Sequence, residues 1–358
     1  MQTQRLRFLD MARALAAIFM IFVHVLNLLA LPEVDKSVFG DCINFLGSPP
    51  AAPVFMFAMG ASFAVTLDLN RGVKFMRGFK IFAQGYFLNF LRLFCPFLLI
   101  LFLGLFGFKA PFQGDSGSLK TELIDNLLVV DILQFAGLAY LFLSLVCFLR
   151  LNKTIFLSAL ILAICLISPM LWAIEIENIY LQRILDLFWG NRGEQVSFPF
   201  FPWICYPLLG LICGKRYKEA GKNYHQVLEK DIYWGVSLII IGALLTIQNP
   251  AFHMGDYWRT GPGGMFMYLG FIPLWIFFCH LLTLYVPDIV QKISLFTSKH
   301  ITLFYFIQWI FISSLVGVFG QNDEDLKMTI LLMLVSLAIT YIMTWLIVSC
   351  KRQRLPEK

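Results

Sequence analysis

Apolar residues run along the chain in long blocks, and polar residues are confined to the gaps between them. Ten blocks can be delimited: 9–31, 52–69, 82–108, 127–149, 154–174, 198–214, 232–248, 263–286, 301–319 and 328–349. Most reach the roughly 17–25 apolar residues that a helix needs to cross about 30 Å of hydrocarbon. The third is long enough to tilt or kink and contains Pro96; Pro169 lies in the fifth, and Pro202 and Pro207 lie in the sixth. Spanning helices tolerate such breakers because neighbouring helices satisfy the freed backbone groups. The pattern predicts an all-α, polytopic integral membrane protein of about ten transmembrane helices. No fixed-period repeat interrupts it, and residues 1–358 read as a single transmembrane domain.

Composition removes the competing classes. The chain is 59% hydrophobic and 14% charged, with a mean hydropathy of +0.76. Soluble domains run at about 45–50% apolar and about 25% charged. A soluble enzyme, a secreted disulfide scaffold, a disordered chain and a nucleic-acid-binding module are all excluded. The eight cysteines form no CxxC or Cys/His pattern, so neither a disulfide framework nor a metal site is expected.

The distribution of charge says more than its sum of +6. One set of connecting segments carries Arg5, Arg7, Arg71, Lys74, Arg77, Lys80, Arg150, Lys153, a cluster from Lys215 to Lys230, Lys292, Lys299 and the four basic residues after 350. The alternate segments carry only Lys36, Lys109, Lys120, Arg183, Arg192, Arg259 and Lys327. The positive-inside rule then places both termini in the cytoplasm, as an even number of spans requires. The first block holds Asp10, Arg13 and His24 and has no small-residue cleavage site, so it reads as a retained span.

Ionisable residues inside a span are costly and therefore mark candidate chemistry. In RFLDMARALAAIFMIFVHVLN, Arg13 and His24 are eleven residues apart. That is about three turns, so they share a face about 16 Å apart along the axis. Asp10 is placed to pair with Arg13, and Asn27 lies one turn beyond His24. A neutral imidazole suits general acid–base work near pH 7; a snorkelling Arg13 and a packing His24 are the structural alternatives. In VVDILQFAGLAY, Asp131 and Gln134 fall at a similar outer depth to His24. Asp131 can charge-balance an imidazolium or serve as a helix N-terminal charge. Arg92, in the third block, sits near mid-membrane and needs a carboxylate, a phosphate or water. Tyr305 and Gln308 in the ninth block read as interhelical hydrogen-bonding groups. His280 and His300 read as interfacial.

Two outward segments are longer than a turn requires. One spans 175–197, with Arg183, Asp186, Trp189, Asn191, Arg192 and Glu194; the other is NPAFHMGDYWRTGP at 249–262, with Trp258 and Arg259. Aromatic rings beside guanidinium and carboxylate groups suit a polyol such as a sugar, or an interfacial belt. Inside, Arg71, Lys74, Arg77 and Lys80 suit the phosphates of a nucleotide-like donor or anionic lipid headgroups.

Several of these stretches together resemble a family. RLRFLDMARALAAIFMIFVHV resembles the first helix of transmembrane acyltransferases, APVFMFAMGASFAVTL at 52–67 the second-helix signature of the heparan-alpha-glucosaminide N-acetyltransferase-like group, and DILQFAGLAYLFLSL at 131–145 its fourth span. FPFFPWICYPLLGLICGK at 198–215 and TSKHITLFYFIQWIF at 297–311 are similar to its later helices. The resemblance, which is to a group related to the acyltransferase-3 family, implies transfer of an acetyl group from cytoplasmic acetyl-CoA to an extracytoplasmic sugar. It points to Arg13 and His24 as functional residues. Some members carry a histidine where this chain has Gln308. Lysosomal relatives use a histidine in the first external loop. Segment 32–51 here has none, which places the acid–base work on His24.

On this reading His24 and Asp131 are catalytic, Arg13 and Arg92 bind the acetyl-CoA donor, and Asn27, Gln134, Trp258 and Arg259 contact the acceptor. No metal is expected. Expected partners are a glycan acceptor, membrane lipids and a second copy of the chain as a homodimer, and no nucleic acid. O-acetylation of an envelope glycan or lipopolysaccharide at a bacterial inner membrane is the leading expectation. A secondary transporter or flippase for a glycan or lipid is the alternative class.

Overall fold

The computed structural model describes residues 5–66, 71–105, 127–190 and 196–354. Lys109, Lys120, Asn191, Arg192, Glu194 and Lys358 lie outside these residues. In chain order the α-helices are α1 Arg7–Leu29, α2 Pro32–Asp35, α3 Val38–Gly47, α4 Ala52–Val65, α5 Arg71–Leu105, α6 Ile132–Phe148, α7 Thr154–Leu171 and α8 Ile179–Asp186. They continue as α9 Phe200–Trp203, α10 Cys205–Ala220, α11 Tyr224–Gln248, α12 Pro250–Met254, α13 Pro262–Tyr285, α14 Asp288–Lys299, α15 Ile301–Phe319 and α16 Leu326–Arg354. Among the described residues only two isolated β-bridges interrupt this all-α pattern.

Among the described residues seven helical stretches are long and apolar enough to cross a membrane, and α6 is a shorter apolar helix. Large apolar side chains such as Ile155, Met170 and Ile247 are at least three-quarters exposed on these helices. Water would penalise that surface and lipid would not, so the chain is an integral membrane protein. The expected blocks 198–214 and 232–248 lie on one nearly continuous helical stretch, Phe200–Gln248. The basic segment between them is itself helical and breaks only around Gly221, where φ is +56°. Segment 32–51 is likewise not an open loop. Pro32 starts α2, and the Ser37 hydroxyl caps α3 by accepting from the Gly40 amide at 3.2 Å.

Contacts group the chain into two compact units. The first holds Met1–Ala12, Ala52–Phe87 and Leu128–Tyr285; the second holds Arg13–Ala51, Leu88–Leu127 and Val286–Lys358.

In the first unit α4 lies along α10, and α11 along α13. These pairs approach closely because small residues face each other. A Cβ at Gly210 would sit 2.1 Å from the Phe57 carbonyl oxygen, and one at Gly60 would sit 2.1 Å from that of Pro207. Backbone cannot yield as a side-chain tip can. Gly210→Ala is therefore expected to destabilise the protein by about 1–3 kcal/mol. A thermal midpoint in detergent equal to that of the wild type would show that α4 and α10 are looser than described.

In the second unit α1 is buried against α15 and α16. Ala17, Ile21, Val25, Leu26 and Leu29 of α1 form one cluster with Phe304 and Ile312 of α15 and Leu332 and Met333 of α16. The carbonyls ending α1 are satisfied from the α15–α16 connection. The Asn322 amide donates to Leu28 O at 3.2 Å, and the Asp323 and Glu324 amides donate to Leu29 O at 3.0 and 2.9 Å. Gly320, at φ +90°, ends α15 and opens this turn. Segment 288–299 is an amphipathic helix rather than a solvated loop. It buries Ser294, Thr297 and Ser298.

Candidate active site

In the second unit two polar side chains meet at Trp309 of α15. The His24 ring of α1 lies on the Trp309 indole with centroids 4.2 Å apart and planes tilted by 34°. The Arg92 guanidinium of α5 stands 4.9 Å from the same ring centroid. Three helices distant in sequence thus meet at one aromatic surface. Tyr305, one turn earlier on α15, meets the Trp309 ring edge-on at 6.4 Å.

Gln308, which precedes Trp309 on α15, carries an unusual pair of polar atoms. Gln308 is only 1% exposed. Neither its Nε2 nor its Oε1 has a hydrogen-bond partner among the described residues, and the buried Trp309 Nε1 has none either. The interhelical hydrogen bond expected of Gln308 is therefore not made. A buried amide without a partner costs about 1–3 kcal/mol, and such groups are rare enough to require a reason. A bound molecule offering both an acceptor and a donor would supply one.

Arg13, eleven residues before His24, is half-buried, and its Nη1 lies 3.5 Å from the buried Ser298 Oγ of α14. Asp10 accepts a bidentate ion pair from Arg5 at 2.6 and 3.1 Å, a partner not foreseen for it. Asn27 is exposed.

The remaining expected site residues belong to the first unit, where each has a local task. Asp131 precedes α6 rather than lying inside it. Its carboxylate accepts from the Ile132 amide at 2.7 Å, while Gln134 Oε1 accepts from the Asp131 amide at 3.2 Å. This is a capping box, and the D-x-x-Q spacing in VVDILQ is its sequence signature. Gln134 also donates to Val129 O at 3.2 Å.

The outer segment is tied to itself. Trp258 meets Phe198 at 4.7 Å and Tyr257 at 4.9 Å, and its carbonyl accepts from Trp203 Nε1 at 2.8 Å. Arg259 donates to Asp256 at 2.9 Å and to the Gly190 carbonyl. Burial pushes the Tyr257 phenol well above its usual value, so it stays neutral. These rings face one another, and Trp258 and Arg259 are spent on fixing the segment.

One other expectation needs correction. Lys74 does not reach outward for phosphate. It is buried, with its ammonium 4.2 Å from the centroid of the Phe63 ring. His280, near the end of α13, is packed rather than exposed. It is 7% exposed, among Phe8, Tyr224 and Phe277.

Helices that present apolar surface to lipid while bringing an imidazole and a guanidinium to one indole ring define an integral membrane protein with polar groups held among its helices. The family model described as heparan-alpha-glucosaminide N-acetyltransferase, catalytic, matches residues 5–247, and the chain belongs to that family. Membership supports a membrane acetyltransferase. The matched segment contains Arg13, His24 and Arg92, and ends before Gln308 and Trp309. Comparison with curated proteins gives no match.

Proposed function

We propose that the protein transfers an acetyl group from cytoplasmic acetyl-CoA to a hydroxyl or amine of an extracytoplasmic sugar, using the residues gathered at Trp309. The observation that carries this reading is the pair of orphaned groups on consecutive residues of α15, the Gln308 amide and the Trp309 indole N–H, the second on the ring against which His24 stacks. An acyl transferase needs a base and preorganised donors where oxyanion charge develops. Here His24 removes the proton of the acceptor hydroxyl or amine as that atom attacks the thioester carbonyl. Gln308 Nε2–H and Trp309 Nε1–H donate to the carbonyl oxygen as it gains charge. The C–S bond then breaks, and the imidazolium returns the proton to the departing thiolate of coenzyme A. Arg92 adds positive charge beside the stack. Arg13 faces the donor phosphates from the far end of the same α1 face.

In this reading the chain is one enzyme domain with about ten spans and both termini in the cytoplasm. The charge bias of the connecting segments supports that orientation. The family's named substrate supports a sugar acceptor. O-acetylation of an envelope glycan or lipopolysaccharide at a bacterial inner membrane fits a chain with so little extramembrane mass. Asp131 and Gln134 are assigned to the start of α6, and Trp258 and Arg259 to the outer segment.

Inverted membrane vesicles given labelled acetyl-CoA and an envelope glycan fraction are expected to move label onto the glycan. Glycan translocation without consumption of acetyl-CoA would replace this reading with a transporter. In the same assay Arg13→Ala is expected to raise the KM for acetyl-CoA roughly 10- to 100-fold, the worth of a charge-assisted contact, and to leave the acceptor KM near that of the wild type. The opposite pattern removes Arg13 from the donor site.

A further inference from the structure

The first unit contains a cavity unrelated to the residues at Trp309. It has a volume of about 370 Å³ and lies between α7, α10, α11 and α13. That volume is within the range of ligand sites, roughly 300–1,000 Å³. Its lining is divided. Leu162, Leu209, Leu238 and Phe266 make one end apolar, while Thr154, Arg216 and Trp234 line the other. From Thr154 to Leu162 the α7 wall is about 12 Å long at 1.5 Å per residue.

The polar end is built, not incidental. Asp231 is fully buried and accepts from Arg216 Nη1, from Trp234 Nε1 at 2.8 Å and from the Tyr217 hydroxyl at 3.1 Å. Three donors on one carboxylate fix the Arg216 fork in place; about a third of that side chain remains exposed, and it lines the cavity. Next to it, Lys215 Nζ donates to Asn152 O at 2.8 Å, which brings the α10 lysine to the segment holding Arg150 and Lys153. Arg150, Lys153, Lys215 and Arg216 make this rim rich in cations. A guanidinium held by one partner while still offering donors suits a phosphate oxygen.

We infer that this cavity binds one anionic phospholipid, with an acyl chain along the apolar wall and the headgroup phosphate against Arg216 and the adjoining lysines. Thr154 and Ser158 add hydroxyl donors on the α7 side. A lipid fits better than a soluble phosphate compound because most of the lining has nothing to offer but apolar contact.

The test is native mass spectrometry of the full-length protein released from nanodiscs holding equal amounts of phosphatidylglycerol and phosphatidylcholine. The wild type is expected to retain one phosphatidylglycerol in preference to phosphatidylcholine. Leu162→Trp fills the apolar end from an exposed position on α7, outside the Asp231 network, and is expected to lose that lipid. Arg216→Lys is expected to keep the preference, and Arg216→Gln to reduce it about tenfold, as loss of a charged contact does. If Arg216→Gln fails to fold with Asp231 deprived of its cation, Leu162→Trp and Arg216→Lys decide the matter. Unchanged phosphatidylglycerol retention by Leu162→Trp overturns the site. Equal retention of both lipids by the wild type overturns the headgroup assignment. Displacement of the lipid by millimolar inorganic phosphate alone assigns the site to a free anion instead.

Discussion

His24→Ala is expected to lower the turnover of acetyl transfer by about 10²–10⁴-fold, the contribution of a positioned general base. The KM for acetyl-CoA should change little, because the donor contact assigned to α1 is Arg13, about 16 Å away along the helix. The fold should survive. His24 is only half-buried, and the α1 packing is carried by Ala17, Ile21, Val25, Leu26 and Leu29. The vesicle assay gives the rate, and the thermal midpoint in detergent gives the control. A stable His24→Ala protein that turns over like the wild type would take the imidazole out of the chemistry. A variant that loses activity and stability together would make His24 a packing residue of Trp309.

Gln308→Leu is expected to move stability and activity in opposite directions. Leucine fills nearly the same space and removes a buried amide that has no partner among the described residues. The free protein should gain about 1–3 kcal/mol, because no hydrogen bond is lost and an unsatisfied group disappears. Acetyl transfer should fall about 10²–10³-fold, as it does when one oxyanion donor is removed from an acyl-transfer site. A higher midpoint with a slower enzyme is hard to obtain from a merely structural glutamine. An interhelical hydrogen bond at Gln308 would give the reverse, a lower midpoint with activity reduced only in proportion. Full activity in Gln308→Leu would leave the carbonyl oxygen to the Trp309 indole N–H alone.

Parts of this picture can be read from the chain before any coordinates. The apolar blocks place the helices because lipid imposes a strict length and polarity on each span. The Arg13–His24 face follows from helical spacing. The role of Asp131 is legible too. D-x-x-Q ahead of an apolar run is a capping box, and reading 127–149 as one uniform span hides it. Other features are not local. Nothing in LFYFIQW separates Gln308 from an ordinary bonded amide, since its status depends on what the neighbouring helices bring to it. The inward turn of Lys74 depends on Phe63 in another helix. Lys292 and Lys299 mark 288–299 only as a connecting segment, yet buried Ser294, Thr297 and Ser298 make it a packed helix.

The turn between α15 and α16 sets more than the end of α1. Its amides close on Leu28 and Leu29, only four and five residues past His24, while Trp309 lies eleven residues before Gly320. Both paths from this clasp to the stack are helix, which stretches and shears very little. The clasp therefore acts as a gauge, fixing from one edge how the imidazole, about one turn away, and the indole, about three turns away, are registered. Adding a residue to 321–325 would leave every side chain of the stack in place in the sequence and still slide one ring past the other.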